Sequence, residues 1–220
     1  MATIPEALNL ARQHHQAGRL QEAEALYRQI LQVKPDHPDA LNLLGLIAHQ
    51  VGQHHVAVDY ISRAIGLNPA VQDFHNNIGE AYRAQGKLEE AVAQYRQALA
   101  LKPTYAEAHS NLGLALQAQG KLEDAVAHYR QALSLKPAFA EAHFNLGNVL
   151  HAQGKLEESV VSYRQALSLK PAYAEVYNNL GCVLKELGKL EEAIAHYRQA
   201  LAFKPAFAEA HVNLGAALLE

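Results

Sequence analysis

The 220-residue chain contains no tryptophan, one cysteine, one methionine and almost no excess of charge of either sign. Each shortage excludes something. With Cys182 alone, no intramolecular disulfide can form, which fits a reducing compartment. Nineteen basic against 22 acidic residues give a formal net charge of −3, with no basic stripe to attract nucleic acid or an anionic membrane. No apolar run approaches the roughly 20 residues that span a bilayer, and the stretch Met-Ala-Thr-Ile-Pro-Glu at the start lacks the basic and apolar regions of a secretory signal. The expected location is the cytoplasm, with no nucleic-acid and no membrane partner. No Gly-rich phosphate loop, helical His-Glu-x-x-His or nucleophile elbow occurs either. The chain is therefore read as a non-enzyme, with no catalytic residue, no cofactor and no metal.

What is present is repetition. Pro35, Pro69, Pro103, Pro137, Pro171 and Pro205 fall at an unbroken spacing of 34 residues. A period of roughly 20–50 residues marks a stacked array, in which each unit is too small to bury its own apolar face and packs on its neighbours. In the copy from Ala106 to Phe139, His109, Leu112, Gly113 and Leu116 lie at i, i+3, i+4 and i+7, one face of a helix. Leu122, Ala125, Val126, Tyr129, Ala132 and Leu133 repeat the pattern, and Gly120 between them suits a left-handed C-terminal cap. Lys136 favours the negative end of the second helix and Pro137 stops it. Each copy is thus expected to be two antiparallel helices joined by a tight turn, with Gly113, Ala125 and Ala132 letting two backbones approach.

These positions resemble the tetratricopeptide repeat family. The family's large residue, Leu-Gly, Tyr, Ala, aromatic and Pro read His75, Ile78, Gly79, Tyr82, Ala91, Tyr95 and Pro103 in one copy. They read Tyr177, Leu180, Gly181, Leu184, Ala193, Tyr197 and Pro205 in another. The match spans nearly the whole chain as a single array over 1–220. Six full copies cover about 4–37, 38–71, 72–105, 106–139, 140–173 and 174–207, and a partial one covers 208–220. The resemblance implies an all-α, right-handed α-solenoid whose first helices line a concave wall. Departures fall near the ends: Ala11 stands where other copies have Gly, and His54 and Ile61 where they have Leu and mostly Tyr. The seventh copy has one helix, so Leu214 and Leu218 lack a second helix to cover them. Either that helix is a cap, or the chain continues in a longer protein.

On each first helix, repeat positions 4, 7, 8 and 11 face the second helix, leaving positions 2, 5, 6, 9, 12 and 13 to face elsewhere. Position 6 is Asn9, Asn77, Asn111, Asn145, Asn179 and Asn213, broken only by Leu43. Asn is a mediocre helix former and adds nothing to an apolar core. One reading is a ladder of amides that bonds the backbone of an extended peptide whatever its sequence; the other is that the asparagines bond a neighbouring helix or persist from recent duplication. The pattern is similar to the asparagine-lined repeat arms of O-linked N-acetylglucosamine transferases. Beside the ladder the copies vary. The copies at Ala106 and Ala140 share 25 of 34 positions, yet differ as Ser110 against Phe144, Leu114 against Asn148 and Gln117 against His151. The expected groove residues are therefore Asn77, Asn111, Asn145, Asn179 and Asn213, with Asn76, Phe144, Asn148 and Asn178 beside them.

Two other readings are set aside. Some members of the resembled family hold a C-terminal carboxylate with lysines and an arginine; here position 2 is Asp39, Asp73, Glu107, Glu141, Glu175 and Glu209, and position 5 carries no Lys. His75, His109, His143 and His211 are equivalent, so neighbours lie about one helix spacing apart, roughly 10 Å, whereas zinc holds its ligands at about 2 Å. They are read as packing in place of the family's large aromatic. The main functional expectation is a scaffold that binds an extended peptide or partner segment in the groove. The alternative is the substrate-recognition arm of a larger glycosyltransferase, and a further possibility is self-association through the terminal helix.

Overall fold

The computed structural model describes residues 3–220; Met1 and Ala2, the first two positions of the expected array, lie outside the described residues. Among the described residues there are thirteen α-helices and no strand. The first helices are α1 (Ile4–Gln16), α3 (Pro38–Gln50), α5 (Gln72–Ala84), α7 (Ala106–Ala118), α9 (Ala140–Ala152), α11 (Ala174–Glu186) and α13 (Ala208–Ala217). The second helices are α2 (Leu20–Val33), α4 (His54–Leu67), α6 (Leu88–Leu101), α8 (Leu122–Leu135), α10 (Leu156–Leu169) and α12 (Leu190–Phe203). This is the all-α repeat of helix pairs that the period predicts. The helices form two compact units, one running to Asn111 and one from Leu112.

The turn inside each pair is set by glycine. Gly120 has φ +76°, and the amide of Lys121 after it reaches back to the Leu116 carbonyl at 2.9 Å, the six-to-one bond of a Schellman cap. Gly18, Gly52, Gly86, Gly154 and Gly188 share the left-handed conformation. The second helices then start without a side-chain cap and, except for α4, carry acidic first turns instead, as in Glu157 and Glu158 of α10. Helix α1 opens on a capping box, with Thr3 N donating to Glu6 Oε2 at 2.8 Å and Glu6 N to Thr3 Oγ1 at 3.4 Å.

Glycine at position 8 does different work. A Cβ on Gly147 would lie 2.5 Å from Tyr163 Cε1, and one on Gly181 would lie 2.6 Å from Tyr197 Cε1. The missing side chain is therefore filled by the tyrosine ring, and Tyr95, Tyr129 and Tyr163 are fully buried. In α4 the same place is taken by Ile61, packed against Gly45. The first pair accommodates Ala11, buried with Tyr27 in one apolar cluster.

The equivalent histidines have a specific use. His75, His109, His143 and His211 each turn Nε2 to the carbonyl of the proline six residues earlier, at 3.0, 3.1, 3.0 and 2.8 Å. A carbonyl only accepts, so Nε2 carries the proton and the imidazole ties the loop to its following helix. The loop lysine lies over the next ring: Lys136 is 4.7 Å from the Phe139 centroid and Lys170 is 4.3 Å from that of Tyr173. In the last helix Leu214 packs against the cluster around Tyr197, whereas Val212, Leu218 and Leu219 stay exposed.

Candidate functional site

Within each unit, positions 5, 6 and 9 of successive first helices meet along one face. In the unit running to Asn111, Asn77 Nδ2 donates to Asn42 Oδ1 at 3.1 Å. Asn111 Nδ2 donates to Asn76 Oδ1 at 3.0 Å and to Glu80 Oε1 at 2.8 Å, and Asn76 Nδ2 also donates to Glu80 Oε1 at 3.1 Å. In the unit from Leu112, Asn179 Nδ2 donates to Asn148 Oδ1 at 2.9 Å. Asn213 Nδ2 donates to Asn178 Oδ1 at 2.9 Å and to Cys182 Sγ at 3.4 Å. Each of these position-6 amides thus spends its N–H groups on position 5 or 9 of the preceding first helix.

The other expected groove residues divide accordingly. Asn76 and Asn178 are buried, as is Asn42, and Asn178 also donates to Glu209 Oε1 at 3.2 Å. Asn148 accepts a second bond, from the Tyr163 hydroxyl at 2.7 Å. Phe144 is half-buried, its ring 5.1 Å from that of Tyr173 and 6.2 Å from that of Tyr163. Asn145 differs: the position-9 residue before it is Leu114, which has no acceptor to offer, and Asn145 stays half-buried. Asn77, Asn111, Asn145, Asn179 and Asn213 all keep part of their surface open to solvent. Bonding to a neighbouring helix therefore accounts for Asn77, Asn111, Asn179 and Asn213, while their partly open amide edges still border the face.

Sequence reasoning did not assign the tyrosines to this face. They sit on second helices, where the sequence marks Tyr129 as part of an apolar face and Tyr95 and Tyr197 as the aromatic of the repeat pattern. The ring passes through the gap that glycine leaves, and its hydroxyl emerges at the first-helix face. Tyr163 bonds Asn148, and Tyr129 donates to Gln117 Oε1 at 3.1 Å. Burial pushes the Tyr163 phenol up to about 12. The signal in the sequence is that polar residues such as Asn148 at position 9 and Gln117 at position 12 stand at a fixed spacing from the tyrosine of the same repeat. A second row of links joins position 12 to position 13 of the next repeat: His15 to Gln50 at 3.0 Å, His151 to Glu186 at 2.7 Å, and Lys185 to Glu220.

Two open cavities lie on the first-helix face of the unit that runs to Asn111. One, of about 300 Å³, is bounded by Asp39, Asn42, Asp73, Asn77 and Tyr105; the other, of about 540 Å³, is bounded by His15, Gln16, Tyr27 and Gln50. Arg12, Leu43 and Leu46 border both. Arg12 makes a long ion pair with Asp39, 3.4 Å, with both side chains near half exposed. A cavity of about 310 Å³ opens on the other side, between α2 and α4, beside Arg28, Tyr60 and Arg63. No group of three His, Cys, Asp or Glu side chains that could hold a metal ion occurs among the described residues. No helix among them is long and apolar enough to cross a membrane.

Comparison with known proteins agrees with this architecture. A family model described as "TPR repeat" matches residues 79–120, 118–154, 147–188 and 181–220, and one described as "Tetratricopeptide repeat" matches 3–70. A chain of the Cut9–Hcn1 hetero-tetramer of the APC/C superposes with a TM-score of 0.89 at 19% identity, over 98% of this chain and 43% of that one. This chain therefore spans less than half the length of that relative. PilF of Pseudomonas aeruginosa gives 0.86 at 18% identity, covering 97% of both chains. YrrB, described as a TPR protein with an unusual peptide-binding site, gives 0.67 at 18% identity over 84% of this chain and 96% of that one. At these identities the likeness is one of fold. No relative is found among curated proteins.

Proposed function

The chain belongs to the tetratricopeptide repeat family, and on that premise we propose that it is a non-catalytic scaffold that binds an extended segment of a partner protein along its first-helix face. The observation that carries this reading is the pair of adjoining cavities beside α1, α3 and α5, which share Arg12, Leu43 and Leu46. Their apolar floor and polar borders suit an extended chain that presents alternating side chains. Peptide binding, as described for YrrB, is a use that this fold supports elsewhere.

The network beneath the face gives the reading its physical sense. Asn42, Asn76 and Asn178 are buried with their bonds satisfied, so neighbouring first helices are fixed before a partner arrives. A preformed surface loses less side-chain freedom on binding. In the first unit the partly open edges of Asn77 and Asn111 remain able to accept from or donate to a passing backbone; in the second those of Asn145, Asn179 and Asn213 do, with Phe144 and Asn148 beside them. The reading as the recognition arm of a glycosyltransferase rests on the one-helix seventh repeat and on the asparagine pattern, and bonds to neighbouring helices already give that pattern a use.

The test is selection of binders from a library of extended peptides, followed by mapping of amide chemical-shift changes on the whole chain. Changes centred on Arg12, Leu43, Leu46 and Asn77 are expected. Binders that map instead to Arg28, Tyr60 and Arg63 on the second-helix side, or a library that yields none, would overturn the proposal.

A further inference from the structure

Tyr27 stands apart among the tyrosines that reach the first-helix face by what lies beside its hydroxyl. Tyr163 finds an acceptor in Asn148 and Tyr129 finds one in Gln117. The Tyr27 hydroxyl is buried without any partner. The reason lies in the register. Position 9 is Arg12 in the first repeat and Leu46, Glu80, Leu114, Asn148, Cys182 and Ala216 in the others, so Tyr27 meets the one cation in that series. A guanidinium only donates. Tyr95 also lacks a partner, but there position 9 is Glu80, whose charge is already in place and helps hold the phenol neutral.

The cavity at Tyr27 therefore has donors and no anion. Arg12 and Tyr27 both offer N–H or O–H groups, His15 is engaged with Gln50 at 3.0 Å, and no carboxylate lines this cavity. Asp39 touches Arg12 only from the adjoining cavity and at 3.4 Å, which leaves most of the guanidinium fork unused. An unsatisfied buried hydroxyl is costly, and a charge-assisted bond is among the strongest ways to satisfy it.

We propose that the cavity between Arg12 and Tyr27 is a carboxylate subsite that takes an acidic side chain of the extended segment on the first-helix face. The carboxylate accepts from the Arg12 guanidinium and, as that side chain swings from Asp39, from the Tyr27 hydroxyl beneath it. Leu43 and Leu46 continue from this cavity into the next, so the segment runs on past the acidic residue. An acidic side chain therefore fits better than a chain end. This is distinct from a clamp of lysines on first helices: its second donor comes from a second helix, and the first repeat has Pro5 where later copies carry a position-2 acid. The inference rests on the first-helix face being the binding face.

The probes are three peptides titrated into the full chain: acetylated, amidated Gly-Leu-Glu-Leu-Gly; the same with Gln for Glu; and the Gln peptide with a free C-terminal carboxylate. The Glu peptide is expected to bind at least about tenfold tighter than its capped Gln counterpart, the scale of one hydrogen bond to a charged group. Arg12→Gln should abolish that difference and Tyr27→Phe should shrink it, while Tyr163→Phe leaves it intact. Arg12 is exposed enough for the fold to survive its loss, which circular dichroism checks. In the free protein Tyr27→Phe should hold or raise the melting temperature, because it removes an unpartnered hydroxyl, and Tyr163→Phe should lower it. Equal binding of the capped Glu and Gln peptides overturns the subsite while leaving the scaffold reading standing, and no binding by any of the three overturns it as well. Preference for the free-terminus Gln peptide over the Glu peptide overturns the side-chain assignment.

Discussion

The two faces of helix α9 are built on opposite principles. Toward α10, Gly147 leaves a gap that the buried Tyr163 ring fills, and the same contact recurs between Gly79 and Tyr95, Gly113 and Tyr129, and Gly181 and Tyr197. Toward the neighbouring first helix, Asn148 is one member of a polar network whose composition changes from repeat to repeat. The first face admits few solutions, Gly with Tyr, Gly45 with Ile61 or Ala11 with Tyr27, because atoms there are already in contact. The second tolerates several, because Asn, Glu and Cys can each accept the bond that position 6 donates. The difference teaches where such an array can vary its surface without changing its fold.

Three experiments would break or sharpen that contrast, beginning with the largest expected effect. Gly147→Val places a branched side chain where even a Cβ would lie 2.5 Å from Tyr163 Cε1, and Tyr163 is fully buried with little room to yield. Overpacking of this kind costs about 1–3 kcal/mol, occasionally more, so a urea midpoint shifted down by that amount at unchanged slope is expected. The reciprocal change at Ala11, where a methyl is already accommodated, should cost only about 1 kcal/mol as Ala11→Gly through helix propensity. A wild-type midpoint for Gly147→Val would remove the apolar half of the contrast.

On the polar side, Asn178→Leu removes both the acceptor for Asn213 and the donor to Glu209 from a fully buried position. Leaving buried partners unsatisfied costs about 1–3 kcal/mol. The loss should appear as faster amide exchange at the α11–α13 contact before the rest of the chain is affected. If exchange there is unchanged, the network does not hold those helices.

The smallest effect is one of pH. Burial lowers the pKa of His196, whose ring packs 5.8 Å from that of Tyr177, and of His49, which lies 3.1 Å from His54 between Nδ1 atoms. Their unfolded counterparts take up protons near pH 6.5. Because the folded pKa values are the lower ones, the unfolded state binds more protons as the pH falls below about 6.5. Stability present above that pH is therefore lost progressively until the folded-state histidines also protonate. Urea melts between about pH 7.5 and pH 5 should show this fall, and His196→Gln should flatten it. A slope that His196→Gln leaves unchanged would assign the dependence elsewhere.

Much of the fold was legible because the features that set it are local. Pro137 and its equivalents stop a helix by chemistry that needs no tertiary partner, and Gly120 announces a left-handed turn from one position. The position-6 asparagines were equally visible as a stripe, and both of their uses were foreseeable. Which use applied depended on what stands beside them. Asn76 and Asn178 stand beside the ladder as expected groove residues, yet position 5 is where adjacent first helices touch, so these amides, and Asn42 with them, are buried as acceptors of the position-6 bonds. The four equivalent histidines were read as packing residues, and their bonds to proline carbonyls six residues back belong to loop geometry that spacing alone does not reveal.

By itself, then, the sequence determined the 34-residue period, the helix pairs, their turns and the membership of the repeat family, since each depends on backbone preferences and on apolar spacing along a single helix. Only the tertiary structure decided the partners of the polar side chains. Tyr163 and Tyr27 hold the same place in their repeats, and no local rule separates them. Packing sets Asn148 against one hydroxyl and Arg12 near the other, so that one bond is closed within the fold and the other is left for a ligand to complete.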